Sequence, residues 1–65
     1  MERRLDIRRL RESLGMSQRD LAARLGLSPA AVAQWETGKN KPSMDNLLAL
    51  AAIFDCPMDE LFAPI

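Results

Sequence analysis

The chain has no histidine and no tyrosine, one cysteine and three glycines among its 65 residues. With Cys56 alone and no His, the residue types that usually hold zinc are missing, and no disulfide can close within the chain. The same absences leave general acid–base chemistry to scattered carboxylates. No glycine-rich phosphate loop occurs either, so an enzyme is the least supported class and no cofactor is expected. The longest apolar run, LLALAAIF, falls far short of the roughly 20 residues that span a bilayer. The first ten residues, MERRLDIRRL, lack the apolar stretch of a signal peptide. These features predict a soluble cytoplasmic protein that makes no membrane contact, with residues 1–65 forming one small domain. A domain this short buries only about 60% of the surface its unfolded chain exposes, so packing and helix capping must carry its stability.

The net charge is zero, yet its distribution is uneven. All nine Lys and Arg lie at or before Lys41, where they meet five acids, a surplus of four positive charges. The remaining residues carry only Asp45, Asp55, Asp59 and Glu60. A neutral total can thus place a basic face opposite an acidic one, an asymmetry that points toward nucleic acid.

Strand signals are lacking: β-branched residues are few and no polar/apolar alternation persists. Helical spacing replaces them. Ile7, Leu10 and Leu14 form the stripe of a first helix that Gly15 ends. Ser17 offers an N-cap to a second helix, with Asp20 at the capping-box position and Leu21, Ala22 and Leu25 facing inward. Gly26 stops that helix; Ser28 and Pro29 start a third, with Ser28 expected to use its hydroxyl as the cap. Val32 and Trp35 supply its inner face, Trp35 as a partly buried wedge, and Gly38 ends it. Ser43 caps a fourth helix with the stripe Leu47, Leu50, Ala51 and Phe54. Met58, Leu61 and Phe62 suit a fifth short helical turn, and Cys56 before it suits inert packing.

In order and spacing, Ser17-Gln18, Leu21-Ala22, Gly26, Ser28, Trp35-Glu36, Gly38 and Pro42 resemble the Cro/C1-type, or XRE, helix-turn-helix family, over Ile7 to Phe62. The resemblance implies an all-α fold, a compact five-helix lambda-repressor-like bundle whose second and third helices form the helix-turn-helix. It also implies a bacterial or phage regulator of transcription, a repressor, that binds double-stranded DNA sequence-specifically. The third helix, about residues 29–36, is then the one placed in the major groove. A helix of about 10–12 Å diameter fits that groove, and the amide-rich start of the second helix is a natural phosphate site.

By resemblance, the base-reading positions fall on Ser28, Pro29, Ala30, Ala33, Gln34 and Thr37. Among them Gln34 is the side chain suited to a two-pronged bond, preferably to adenine, while Ala30 and Ala33 offer methyl groups to thymine. Phosphate contacts fall on Arg11, Gln18, Arg19, Lys39 and Lys41, with a salt bridge from Arg11 to Glu36 tying the first helix to the end of the third. The fourth helix is apolar around most of its circumference. Leu48, Ala52, Ile53, Phe62 and Ile65 are therefore the candidate surface of a two-fold homodimer on an inverted-repeat operator, with half-sites about 34 Å apart. The alternative reading is an antitoxin-like or adaptor module that uses the same fold, with weak DNA specificity, to engage a protein partner through the fourth and fifth helices.

Overall fold

A computed structural model of the chain describes residues 3–64. Its order is β1 (Arg3–Leu5), α1 (Ile7–Ser13), α2 (Gln18–Leu25), α3 (Pro29–Thr37), α4 (Met44–Phe54), a 3-10 turn (Met58–Leu61) and β2 (Phe62–Pro64). The helical bundle is as the sequence implies, but among the described residues it has four α-helices rather than five. The expected fifth is the single 3-10 turn, and Phe62 leaves it to enter a strand.

That strand pairs antiparallel with β1, setting Arg3 opposite Pro64, Arg4 opposite Ala63 and Leu5 opposite Phe62. The amide of Asp6 continues the connection by donating to Leu61 O at 2.8 Å. Three-residue strands are too short to show alternation. Their partners lie almost a chain length apart, so local spacing has no access to the pairing.

The four α-helices share one way of stopping. After each, the chain turns into the left-handed region, at Gly15 (φ 68°), Gly26 (71°), Gly38 (81°) and Asp55 (51°). In each case the next amide reaches back to a carbonyl five residues earlier: Met16 to Arg11, Leu27 to Ala22, Lys39 to Gln34 and Cys56 to Ala51, at 2.9–3.1 Å. This is the Schellman arrangement, which satisfies carbonyls that a helix end leaves open. Asp55 alone does this with a side chain, at a left-handed cost of about 1–2 kcal/mol. Asp55→Gly should therefore raise stability by up to about 1 kcal/mol, part of the gain being offset by the added freedom of the unfolded chain. A melting temperature unchanged or lowered in that variant would show that Asp55 is not strained.

The core is Ile7, Leu21, Ala22, Val32, Trp35, Leu50 and Leu61. Trp35, read from sequence as a partly buried wedge, is a full member of it. Leu14 is not, although its spacing suits the α1 stripe: the helix ends at Ser13, and Leu14 is 55% exposed. Cys56 is partly buried beside the core, and burial, followed by the nearby charges of Glu60, Asp55 and Asp59, pushes its thiol pKa up. Among the described residues no helix is long and apolar enough to cross a membrane.

Candidate nucleic-acid interface

The start of α2 is fixed by a closed capping box. Ser17 Oγ accepts from the Asp20 amide at 3.0 Å, and the Ser17 amide donates to Asp20 Oδ2 at 2.9 Å. The shorter Asp closes the box as a Glu would. The backbone hydrogen bond from Ser17, then that residue's hydroxyl, holds the Asp20 carboxyl below its ordinary pKa. The first two amides of α2, those of Gln18 and Arg19, have by position no carbonyl partner in the helix and remain as donors at its positive end.

Only Gly26, Leu27 and Ser28 separate α2 from α3. Pro29 takes the first helical position, where no amide partner is needed. Ser28 is the N-cap residue by its backbone, but its hydroxyl caps nothing. Pro29 has no amide to offer, and the Ala31 amide bonds the Ser28 carbonyl at 3.1 Å instead of its hydroxyl. The Ser28 hydroxyl is consequently left on an exposed residue beside exposed Pro29 and Ala30.

Behind α3 lies a polar brace that joins three helices. Arg11 Nε donates to Glu36 Oε2 at 2.8 Å and its Nη2 to Oε1 at 3.2 Å, a two-pronged pair. Arg11 Nη1 donates to Met16 O at 2.8 Å, and Gln18 Nε2 donates to Glu36 Oε1 at 3.1 Å. The expected Arg11–Glu36 salt bridge is thus present, and Gln18 braces α3 directly. The pair is well sheltered, with side-chain exposures of 10% and 7%. Burial pushes the Glu36 pKa up, but the hydrogen bonds from Arg11 and Gln18 and the guanidinium charge outweigh it and leave it lowered. Arg11 is raised, chiefly by its bond to Glu36.

These two lowered carboxyls fix the sign of the acid response. Their stabilising contribution is complete above the unfolded value, about 4.3 for Glu and 3.9 for Asp, and is lost as pH falls through the lower folded values. Thermal melts from pH 6 down to pH 2 should therefore show a progressive loss beginning near pH 4.5. In Glu36→Gln the loss should be smaller; an identical pH profile would exclude Glu36 as its source.

Gln34, Thr37 and Asn40 meet at the other end of α3. The Gln34 carbonyl accepts from the Lys39 amide at 2.9 Å, the Asn40 amide at 3.3 Å and Thr37 Oγ1 at 3.2 Å. Asn40 Nδ2 also donates to Gln34 Oε1. Asn40 was not among the residues singled out from sequence. Its signal was the glycine stop at Gly38, which folds the following residues back over the last turn. Ala33 is half-buried beside Gln34, while Arg19, Lys39 and Lys41 are exposed and lie in no ion pair among the described residues.

The proposed dimer residues separate into two kinds. Leu48 and Ala52 are exposed, and Met44, 61% exposed and one turn before Leu48, extends them into a row at every fourth position. Ile53 and Phe62 instead pack against the core from partly buried positions. Ile65 lies outside the described residues.

A helix-turn-helix family model matches residues 7–61. The chain is 42% identical over 50 residues to the HTH-type transcriptional regulator DicA of Escherichia coli, covering 77% of this chain and 37% of that protein. It is 33% identical over 63 residues to the HTH-type transcriptional activator BcrR of Enterococcus faecalis, covering 97% and 31%. The chain thus spans only about a third of the length of these relatives. It also superposes on the P22 c2 repressor, solved in complex with synthetic operator 9T, with a TM-score of 0.78, 38% identity, and 85% and 83% of the two chains covered. The family-model match over residues 7–61, through the whole helical region, makes this chain a member of the Cro/C1-type helix-turn-helix family.

Proposed function

We propose that the protein is a sequence-specific regulator of transcription, a repressor, that places α3 in the major groove of double-stranded DNA. The observation that carries this reading is the buried brace: it holds α3 rigidly while leaving Ser28, Pro29, Ala30, Ala33, Gln34 and Thr37 on or near the outer surface. The likeness to a repressor solved on its operator supports it. Gln34 supplies the hydrogen bonds to a base edge, and the methyl groups of Ala30 and Ala33 pack on thymine. Arg19, Lys39 and Lys41, the open end of α2 with Gln18, and the unused N–H groups of Arg11 take phosphates. These contacts add affinity and salt dependence rather than sequence choice.

A homodimer on an inverted repeat suits this chain because one half-site with few polar readers binds weakly. The row Met44, Leu48 and Ala52 on α4 is the surface proposed for it. The same row is the specific observation behind the second reading, an adaptor or antitoxin-like module whose α4 engages another protein. Fluorescence-anisotropy titration of a duplex between 50 and 200 mM salt tests the proposal. Affinity should fall linearly on a log–log plot, with a slope about one unit shallower in Lys39→Ala. Binding that is absent at 50 mM salt, with the protein folded, would favour the adaptor.

A further inference from the structure

We propose that the pocket between β1 and the α3–α4 connection binds a small organic acid, an apolar body bearing one carboxylate, in competition with a DNA phosphate for Lys41. The competition rests on the DNA-binding reading above; the binding itself does not. The pocket has a volume of about 480 Å³. Small-molecule sites span roughly 300–1,000 Å³ and set a few convergent polar groups on apolar walls. Here the apolar walls come from opposite ends of the chain. Leu5 of β1, Leu47 of α4 and Phe62 of β2 pack against the core from partly buried positions, and their uncovered sides line the pocket. The β1–β2 pairing sets Leu5 opposite Phe62 and so holds two of these walls together.

Trp35 adds a hydrogen-bond donor. It is 6% exposed and lines the pocket, and its indole N–H has no partner among the described residues. No fully buried side-chain nitrogen or oxygen among them lacks a partner, so this N–H belongs to the small part of Trp35 that reaches the surface. The charges around the pocket are mostly of one sign: Arg3, Arg4 and Lys41 face the single carboxylate of Glu36. Glu36 is already matched by Arg11 and Gln18, so it does not repel an anion as an open carboxylate would. Arg3 donates to Asp59 O at 3.5 Å, whereas Arg4 and Lys41 are exposed and lie in no ion pair among the described residues. Two open cations and one indole N–H suit one carboxylate, which accepts from several donors at once. An inorganic anion would leave Leu5, Leu47 and Phe62 uncovered, and a neutral hydrophobe would leave the cations and the indole unused.

Lys41 belongs both to this pocket and to the phosphate contacts proposed above, and Thr37 and Gly38 at the end of α3 line the pocket too. An acid that holds Lys41 therefore takes a cation from the DNA. The pocket is in this way an input by which a small acid weakens binding.

The test uses cinnamate as the acid and the neutral cinnamamide as its control, followed by amide NMR spectra of the protein without DNA. Trp35 is the one tryptophan of the chain, so its indole N–H gives a single assigned resonance. Cinnamate should shift that resonance, and the amides of Leu5, Leu47 and Phe62, saturably. Cinnamamide should bind about 10-fold or more weakly, and Arg4→Ala and Lys41→Ala should each weaken cinnamate about 2–5-fold. Both side chains are exposed, so these variants keep the fold. No saturable shift at millimolar cinnamate, equal binding of cinnamamide, or unchanged affinity in both variants overturns the site. In anisotropy titrations, saturating cinnamate should weaken wild-type duplex binding about 2–5-fold and Lys41→Ala by less. Undiminished wild-type affinity overturns the competition. A protein that binds no duplex even without the acid refutes the DNA-binding reading and the competition with it, while the spectra decide the site on their own.

Discussion

Arg11→Ala is expected to lower the unfolding free energy by about 3–5 kcal/mol, the cost of removing one partner from a buried ion pair and leaving the other uncompensated. Glu36 would retain only Gln18, on a side chain with 7% exposure. A chain of this length has a total stability on the order of 3–10 kcal/mol, so the variant should lie close to its unfolding limit at room temperature. It should also bind duplex DNA more weakly even where it remains folded. The pair ties α1 to the end of α3, and without it the last turn that carries Gln34 and Thr37 is less firmly placed. Chemical denaturation and anisotropy at low temperature separate the two effects. A loss below about 1 kcal/mol would mean that the brace does not hold the fold, and wild-type affinity in the folded variant would remove Arg11 from the binding mechanism. Replacing both partners with apolar residues should recover stability but not affinity, because close packing can substitute for an ion pair in the core.

Leu50→Ala should cost about 2–5 kcal/mol by the same denaturation measurement, since Leu50 is wholly buried and its loss leaves a cavity between α4 and the rest of the core. Its consequence for function is expected to differ. Leu50 takes part in none of the brace's hydrogen bonds and lies on α4 rather than on the exposed face of α3, so DNA affinity measured under folding conditions should stay near wild type. The contrast between the two variants distinguishes a residue that holds the molecule together from one that also holds its reading helix in place. A cost under 1 kcal/mol for Leu50→Ala would show that the core relaxes around the gap.

The helices were legible in the sequence because their signals are local. Gly15, Gly26 and Gly38 mark three stops, Ser17 with Asp20 marks one start, and Pro29 marks another. The Arg11–Glu36 pair joins residues 25 apart, and it was reached through resemblance rather than spacing. What sequence reasoning missed depends on three-dimensional detail. The β1–β2 ribbon joins residues near opposite ends of the chain, and nothing in RRL or FAP alone announces it. The Ser28 hydroxyl was assigned a capping role that it does not perform, the Ala31 amide bonding the Ser28 carbonyl instead. Asn40 went unnoticed because its contact with Gln34 exists only after the Gly38 turn folds it back over the last turn of α3. The end of α3 is therefore more polar than the run of Pro29, Ala30 and Ala33 suggests.

Selection from a random duplex pool at about 150 mM salt, where nonspecific phosphate binding is already weakened, tests the central claim most directly. If α3 reads the major groove, sequencing should reveal an enriched motif, arranged as an inverted repeat with half-sites about one helical turn apart. The absence of any enriched sequence, from protein shown to be folded in the same buffer, would contradict that claim.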